Sequence, residues 1–184
     1  MNPVVHPINL TTTTHRLAPV GDLLRCPQCG AEFKPEAGAN FAWPLTEGAT
    51  QECQPLPRHY RALSTKQPWA GMIARGEKDL EIRSQQFHYR GELLICAGQK
   101  ADDLKWLPRG WPAHEAAKDP LGVAICLVEL YDCRPMRRDD VTRAGCPHAP
   151  GLWALCLRNP RPVKPVLIKG MLGLMNVSVA LELG

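Results

Sequence analysis

The sequence predicts a mainly β protein of the α+β class: a small β-barrel with short helices, preceded by a small N-terminal Cys-x-x-Cys extension. Three observations predict it. From residue 61 onward, short apolar or alternating runs recur at 63–65, 79–83, 91–97, 122–131, 152–157, 163–168 and 174–183. Helical spacing is clear only just after Pro68. Eighteen prolines and 15 glycines punctuate the 184 residues and keep each run short. Many strands with one or two short helices suit a barrel with helical additions, and no internal repeat is visible.

Composition narrows the classes. Hydrophobic residues make up 45% and charged residues 22%, as in globular proteins. No apolar run reaches the roughly 20 residues of a membrane helix, and the first residues lack the features of a secretory signal. The expected location is therefore cytoplasmic, with the eight cysteines reduced or metal-bound rather than paired as disulfides. Net charge is +4, unevenly spread. Residues 1–60 hold four basic against five acidic residues, and residues 61–184 hold the remaining 18 against 13. The larger part is the basic one, which permits a polyanionic partner without demanding one.

In chain order, residues 1–23, with Pro3, Pro7, Pro19 and a Thr11–Thr14 tract, read as a flexible arm. Residues 24–60 read as a zinc-knuckle-like segment and linker. Cys26-Pro-Gln-Cys29-Gly30 offers two thiolates to one tetrahedral ion, and the glycine lets the backbone turn toward them. Cys53 and His59 are the candidate third and fourth ligands, with Cys146 and His148 in reserve. A degenerate knuckle without metal is the alternative. Zinc is the expected cofactor, structural in role, and no organic cofactor is expected.

The main domain is expected at 61–184. Pro68 suits a helix start, Trp69, Met72 and Ile73 share one helical face, and Gly76 suits a left-handed cap. Leu80 and Ile82 then alternate with Asp79, Glu81 and Arg83, so Glu81 and Arg83 share a strand face fed by Lys78. Three charges of mixed sign thus converge on one spot. Lys78 can act as a base if Arg83 crowds it, or as a fixed cation if Glu81 holds it. A purely structural ion pair is the plainer reading. Trp69 divides between core residue and stacking platform. The long connections 98–120, with Lys100, Lys105, Trp106, Arg109 and Trp111, and 133–150, with Arg134, Arg137, Arg138 and Arg143, suit single-stranded RNA or a merely solvated basic surface.

Taken together these blocks resemble an ASCH domain of the PUA-like group over residues 61–182. The resemblance rests on Leu63-Ser-Thr-Lys-Gln-Pro-Trp69-Ala, then Gly76, Lys78, Glu81 and Arg83, then Tyr89-Arg-Gly-Glu-Leu-Leu-Ile, Gly122-Val-Ala-Ile, Trp153-Ala-Leu-Cys-Leu-Arg-Asn-Pro and Ile168-Lys-Gly-Met-Leu-Gly-Leu. It implies a cleft between the Pro68-Trp69 helix and the barrel that takes RNA, single-stranded nucleic acid or a modified nucleotide. Ser64, Lys66, Gln67, Trp69, Lys169 and Gly170 are then binding candidates, and Lys78, Glu81 and Arg83 carry any catalysis. Some small relatives hydrolyse the acyl amide of N4-acetylcytidine, and a ribonuclease role has been proposed for others. In the deacylating relatives a threonine nucleophile stands where this chain has Glu81, so that mechanism does not carry over. Binding is the leading expectation, a hydrolase on a modified nucleoside or RNA the alternative, and a protein-interaction adaptor a third. The cysteine segment lies outside the resemblance.

Overall fold

A computed structural model describes residues 6–11, 13, 15–47, 49–53, 57–102, 119–169 and 173–183. The chain divides into two compact units, Met1–Arg58 and His59–Gly184. Both are built mainly from antiparallel ladders with few short helices, so the mainly β class holds. Among the described residues no helix is long and apolar enough to cross a membrane.

The small unit is one five-stranded sheet: β1 (Ile8–Asn9), β2 (Ala18–Val20), β3 (Leu23–Arg25), β4 (Glu32–Pro35) and β5 (Phe41–Pro44), in the order β1-β5-β4-β3-β2. Residues 8–20, expected within a flexible arm, supply both edge strands. Ile8 explains why: it is buried and packs with Ala31, Phe33 and Ala42. An apolar side chain flanked by prolines and threonines leaves no periodic trace, so the strand was hidden in composition.

The large unit holds β6 (Arg58–Gln67), α1 (Trp69–Ala74), β7 (Leu80–Arg83), β8 (Gly91–Ala101), β9 (Val123–Pro135), α2 (Val141–Ala144), β10 (Trp153–Leu167) and β11 (Leu174–Val179). The sheet order is β11-β6-β8-β9-β10-β7, with β6 and β8 parallel. The near-continuous apolar runs of β8 and β9 are covered on both faces. Leu93 and Ile95 enter one core cluster with Leu63, Ile73 and Leu155, while Leu94 and Cys96 enter a second with Ala62, Ala124 and Met175.

The expected barrel does not close. Beyond β11, the bridge between Val163 and Leu183 and the Lys164 N–H bond to Glu182 C=O bring the chain end onto β10. Pro160, Pro162 and Pro165 deny that half of β10 the run of N–H donors a closing ladder needs. The register of β10 on β9 also shifts three times, bending the sheet instead of sealing it.

The segment after β9 is clamped by an ion pair. Arg134 donates through both Nη atoms to Asp140 at 2.6 and 2.7 Å, and Asp140 also accepts the Arg137 N–H at 2.8 Å. Hydrogen bonding and charge from Arg134 hold the buried Asp140 carboxyl down to about 2. Asp140→Ala is expected to cost about 2–3 kcal/mol in denaturant melts, somewhat under the usual range for a broken buried pair because Arg134 keeps partial solvent access. The sign follows from the lowered carboxyl: the contribution is complete above about pH 4 and fades as pH falls toward 2. The stability gap between parent and variant should therefore narrow below about pH 3.

Candidate nucleic-acid cleft and metal centre

The local fold delivers Lys78, Glu81 and Arg83 to one place. Helix α1 ends in a Schellman arrangement: Gly76 takes φ +76°, its N–H reaches Ile73 C=O, and the Glu77 and Lys78 N–H groups both reach Met72 C=O. That turn drops Lys78 at the head of β7. Strand alternation then puts Glu81 and Arg83 on the same side.

The resulting cleft has a volume of 840 Å³, ample for a nucleotide. Its floor is an ion-paired triad. Lys78 is buried; its ammonium bonds Leu80 C=O and lies 3.3 Å from Glu81 Oε2. Arg83 Nη1 meets Glu81 Oε1 at 2.5 Å, while its Nη2 donates to Ser64 C=O at 2.8 Å and to Thr65 Oγ1 at 3.3 Å. Two cations share one carboxylate, which leaves one positive charge on the floor. The Lys78 ammonium also sits 5.8 Å from the Trp69 ring centroid, within cation–π range. Trp69 itself is half-buried, and its indole N–H is tied to Asp102 Oδ2 at 3.0 Å. Asp102 Oδ1 takes Lys66 Nζ at 3.0 Å. The opposite wall is the turn Ala144–Pro147 after α2. There, burial raises the Cys146 thiol despite the nearby Lys78 charge.

Ser64 stands apart. The residue lines the cleft, and its hydroxyl is buried, with no hydrogen-bond partner among the described residues. An orphaned buried hydroxyl costs about 1–3 kcal/mol, so natural folds rarely leave one without purpose.

Of the residues expected at the site, Ser64, Lys66, Trp69, Lys78, Glu81 and Arg83 do line one cleft. Gln67 does not. It is buried, accepts the Gly71 N–H at 2.9 Å and donates to Pro120 C=O at 3.0 Å, so it stitches the helix start. Lys169 borders a separate shallow depression with Gln99 and Leu121. Gly170 lies outside the described residues, as do Lys105, Trp106, Arg109 and Trp111. The basic loop is largely neutralised, since Arg134 pairs with Asp140 and Arg143 with Asp79. Thr65 and Asp102 are cleft residues that the sequence did not single out. Thr65 sat unmarked inside the Leu63-Ser-Thr block, and Asp102 lies at the end of β8, too far along the chain for spacing to reveal it.

In the small unit, His15, Cys26, Cys29 and Cys53 bring four ligand atoms within 4.8 Å of one another, a group that can hold a metal ion. The fourth donor is His15 in place of His59, which lies exposed on β6. His15 Nδ1 is 3.3 Å from Cys29 Sγ, while Nε2 lies 3.0 Å from Thr50 C=O, the outer partner that orients a ligating imidazole. Cys26 and Cys53 sulfurs are 3.6 Å apart. A tetrahedral ion with bonds of about 2.3 Å would space two sulfurs by roughly 3.7 Å. Without a cation the thiols push one another apart in acidity. Burial opposes ionisation of Cys26, but hydrogen bonds from the Cys29 backbone and His15 outweigh it and bring it to about 6. Burial and the neighbouring sulfurs push Cys53 up to about 12.

The larger unit is mainly β, with a polar, positively floored cleft beside a short helix. The ASCH domain family model matches residues 63–149, so the larger unit carries an ASCH domain, a family of RNA-binding modules. The strands that follow the matched stretch, β10 and β11, complete the same sheet. No curated protein matches the chain.

Proposed function

We propose that the ASCH-domain cleft binds single-stranded RNA or a modified nucleotide, with the small unit held together by zinc. One observation carries the binding reading: the buried Ser64 hydroxyl, without a partner among the described residues, set beside a floor with one uncompensated positive charge. A nucleotide supplies what both lack, a polar base edge for the hydroxyl and negative charge for the floor. Trp69, its indole edge fixed by Asp102, gives the base a surface to lie on. Lys66 at the mouth is placed for phosphate. Glu81 has both oxygens turned to cations, which favours recognition over water activation.

The test is fluorescence anisotropy of the full chain with short single-stranded RNAs and acylated or otherwise modified cytidine nucleotides, at several salt concentrations. Ser64→Ala is expected to weaken binding about tenfold, the worth of one well-made hydrogen bond, while leaving thermal stability unchanged or slightly raised. Equal affinity of parent and Ser64→Ala would refute the recognition reading. Turnover of the same ligands, lost in Lys78→Ala, would replace it with a hydrolase.

Three thiolates and one imidazole are the donor set of structural zinc sites, and the spacing above fits. Elemental analysis is expected to give about one zinc per chain.

A further inference from the structure

We infer that Asp102 is a specificity-determining residue of the cleft. Its fixed carboxylate limits the cleft to one singly charged phosphate, the phosphodiester of an unpaired strand, against the terminal phosphates of a free nucleotide. The inference rests on the recognition reading above and narrows its ligand. Asp102 stands just past β8, and three bonds place it. Its N–H donates to Gln67 C=O at 2.6 Å, its Oδ2 accepts the Trp69 indole N–H at 3.0 Å, and its Oδ1 accepts Lys66 Nζ at 3.0 Å. The pair with Lys66 is open to solvent, the lysine side chain 59% and the aspartate side chain 36% exposed. An exposed pair of this kind is weak, so Lys66 can turn to a phosphate. The carboxylate stays, because the indole N–H holds it and the Gln67 carbonyl holds its backbone.

The rest of the cleft adds little for phosphate. Among the described residues its charged lining is Lys66, Lys78 and Arg83 against Glu81 and Asp102, a surplus of one positive charge. Lys78 and Arg83 both pair with Glu81 and are better buried than Lys66. Nor is the start of α1 an amide cradle of the kind that holds phosphates. Pro68 has no N–H, the Gly71 N–H is taken by Gln67 Oε1 at 2.9 Å, and the Met72 N–H by Pro68 C=O at 3.0 Å. A phosphodiester brings one negative charge and matches the surplus. A terminal phosphate brings about 1.5 to 2 at neutral pH, a triphosphate more, and the excess faces Asp102.

The experiment uses the full chain and a labelled short single-stranded cytidine RNA, followed by anisotropy. The competitors are a cytidine dinucleoside monophosphate, cytidine 5′-monophosphate and cytidine triphosphate. The parent is expected to bind the dinucleoside monophosphate at least as tightly as either nucleotide, with a salt slope of about −0.7, the value for one phosphate of a single strand. Asp102→Asn keeps an oxygen for the indole N–H and drops the charge. It should tighten the triphosphate about 2- to 5-fold relative to the dinucleoside monophosphate, with melting temperature unchanged. Asp102→Ala also releases the Trp69 ring and should weaken all three. A residue that only braced Trp69 would lower every affinity together and leave their ratios alone. The inference falls if the ratio of triphosphate to dinucleoside affinity does not rise in Asp102→Asn, or if the parent prefers the triphosphate; either result leaves the cleft standing. RNA binding that none of the three competitors displaces overturns it as well. No RNA binding at all overturns both this inference and the recognition reading.

Discussion

Cys26→Ser is expected to release the bound metal and unfold the small unit while the ASCH domain keeps its own melting transition. The reason is the size of the core. Among the described residues the small unit's cluster has four buried side chains, Ile8, Ala31, Phe33 and Ala42, two of them alanines, with Leu10, Leu17 and Leu24 only partly buried against them. Structural zinc can supply about 10–16 kcal/mol of apparent binding free energy, which becomes folding free energy when the site exists only in the folded state. The measurement is elemental analysis paired with amide hydrogen exchange: metal content should fall toward zero, and protection in residues 8–53 should collapse. His15→Ala should do the same and His59→Ala should not, which separates this ligand set from the one the sequence suggested. A stably folded small unit without metal would remove zinc from the account.

Glu81→Ala is expected to be the most damaging single change in the ASCH domain. It leaves Lys78, only 3% exposed, and the half-buried Arg83 facing each other with no carboxylate between them. Breaking a buried pair in this way costs about 3–5 kcal/mol, a fall in melting temperature on the order of 10 °C for a unit of this size. Lys78→Met makes the useful contrast. It removes the charge but keeps much of the stem's volume, and Glu81 remains paired with Arg83. Its stability loss should be clearly smaller than that of Glu81→Ala, while RNA binding falls at least as far. If Lys78→Met melts lower yet binds RNA normally, the triad only braces β7 and the floor has no part in recognition.

The cleft was legible in the sequence because its residues are local. Trp69, Lys78, Glu81 and Arg83 come from one helix, one turn and one strand, and the periods of those elements fix which side chains meet. Ser64 and Lys66 follow from the strand just before. Gln67 misled because a polar residue beside Pro68 resembles a site residue, whereas its amide serves the backbone of α1. Asp102 and the Ala144–Pro147 wall reach the cleft only through long-range packing, for which a single sequence has no marker. The candidate metal site was half legible: Cys26 and Cys29 announce themselves by spacing, and Cys53 by residue type. His15 did not, because a ten-residue gap ahead of the first cysteine matches no ligand spacing. The open sheet escaped prediction as well, since strand number suggests closure and only the register of β10 shows that its prolines prevent it.

Gly76 has no side chain to offer a ligand, and among the described residues a β-carbon there would meet nothing nearer than Pro160 at 3.6 Å. Its tolerance to change is nonetheless set by the cleft. Any other residue in that left-handed torsion costs about 1–2 kcal/mol, and relief by rotating the turn would carry the Lys78 ammonium off the Trp69 ring and away from Glu81. The geometry of recognition is in this sense encoded one step upstream, in a backbone angle: drift at position 76 would be selected against as though it were a contact residue, although it touches nothing that binds.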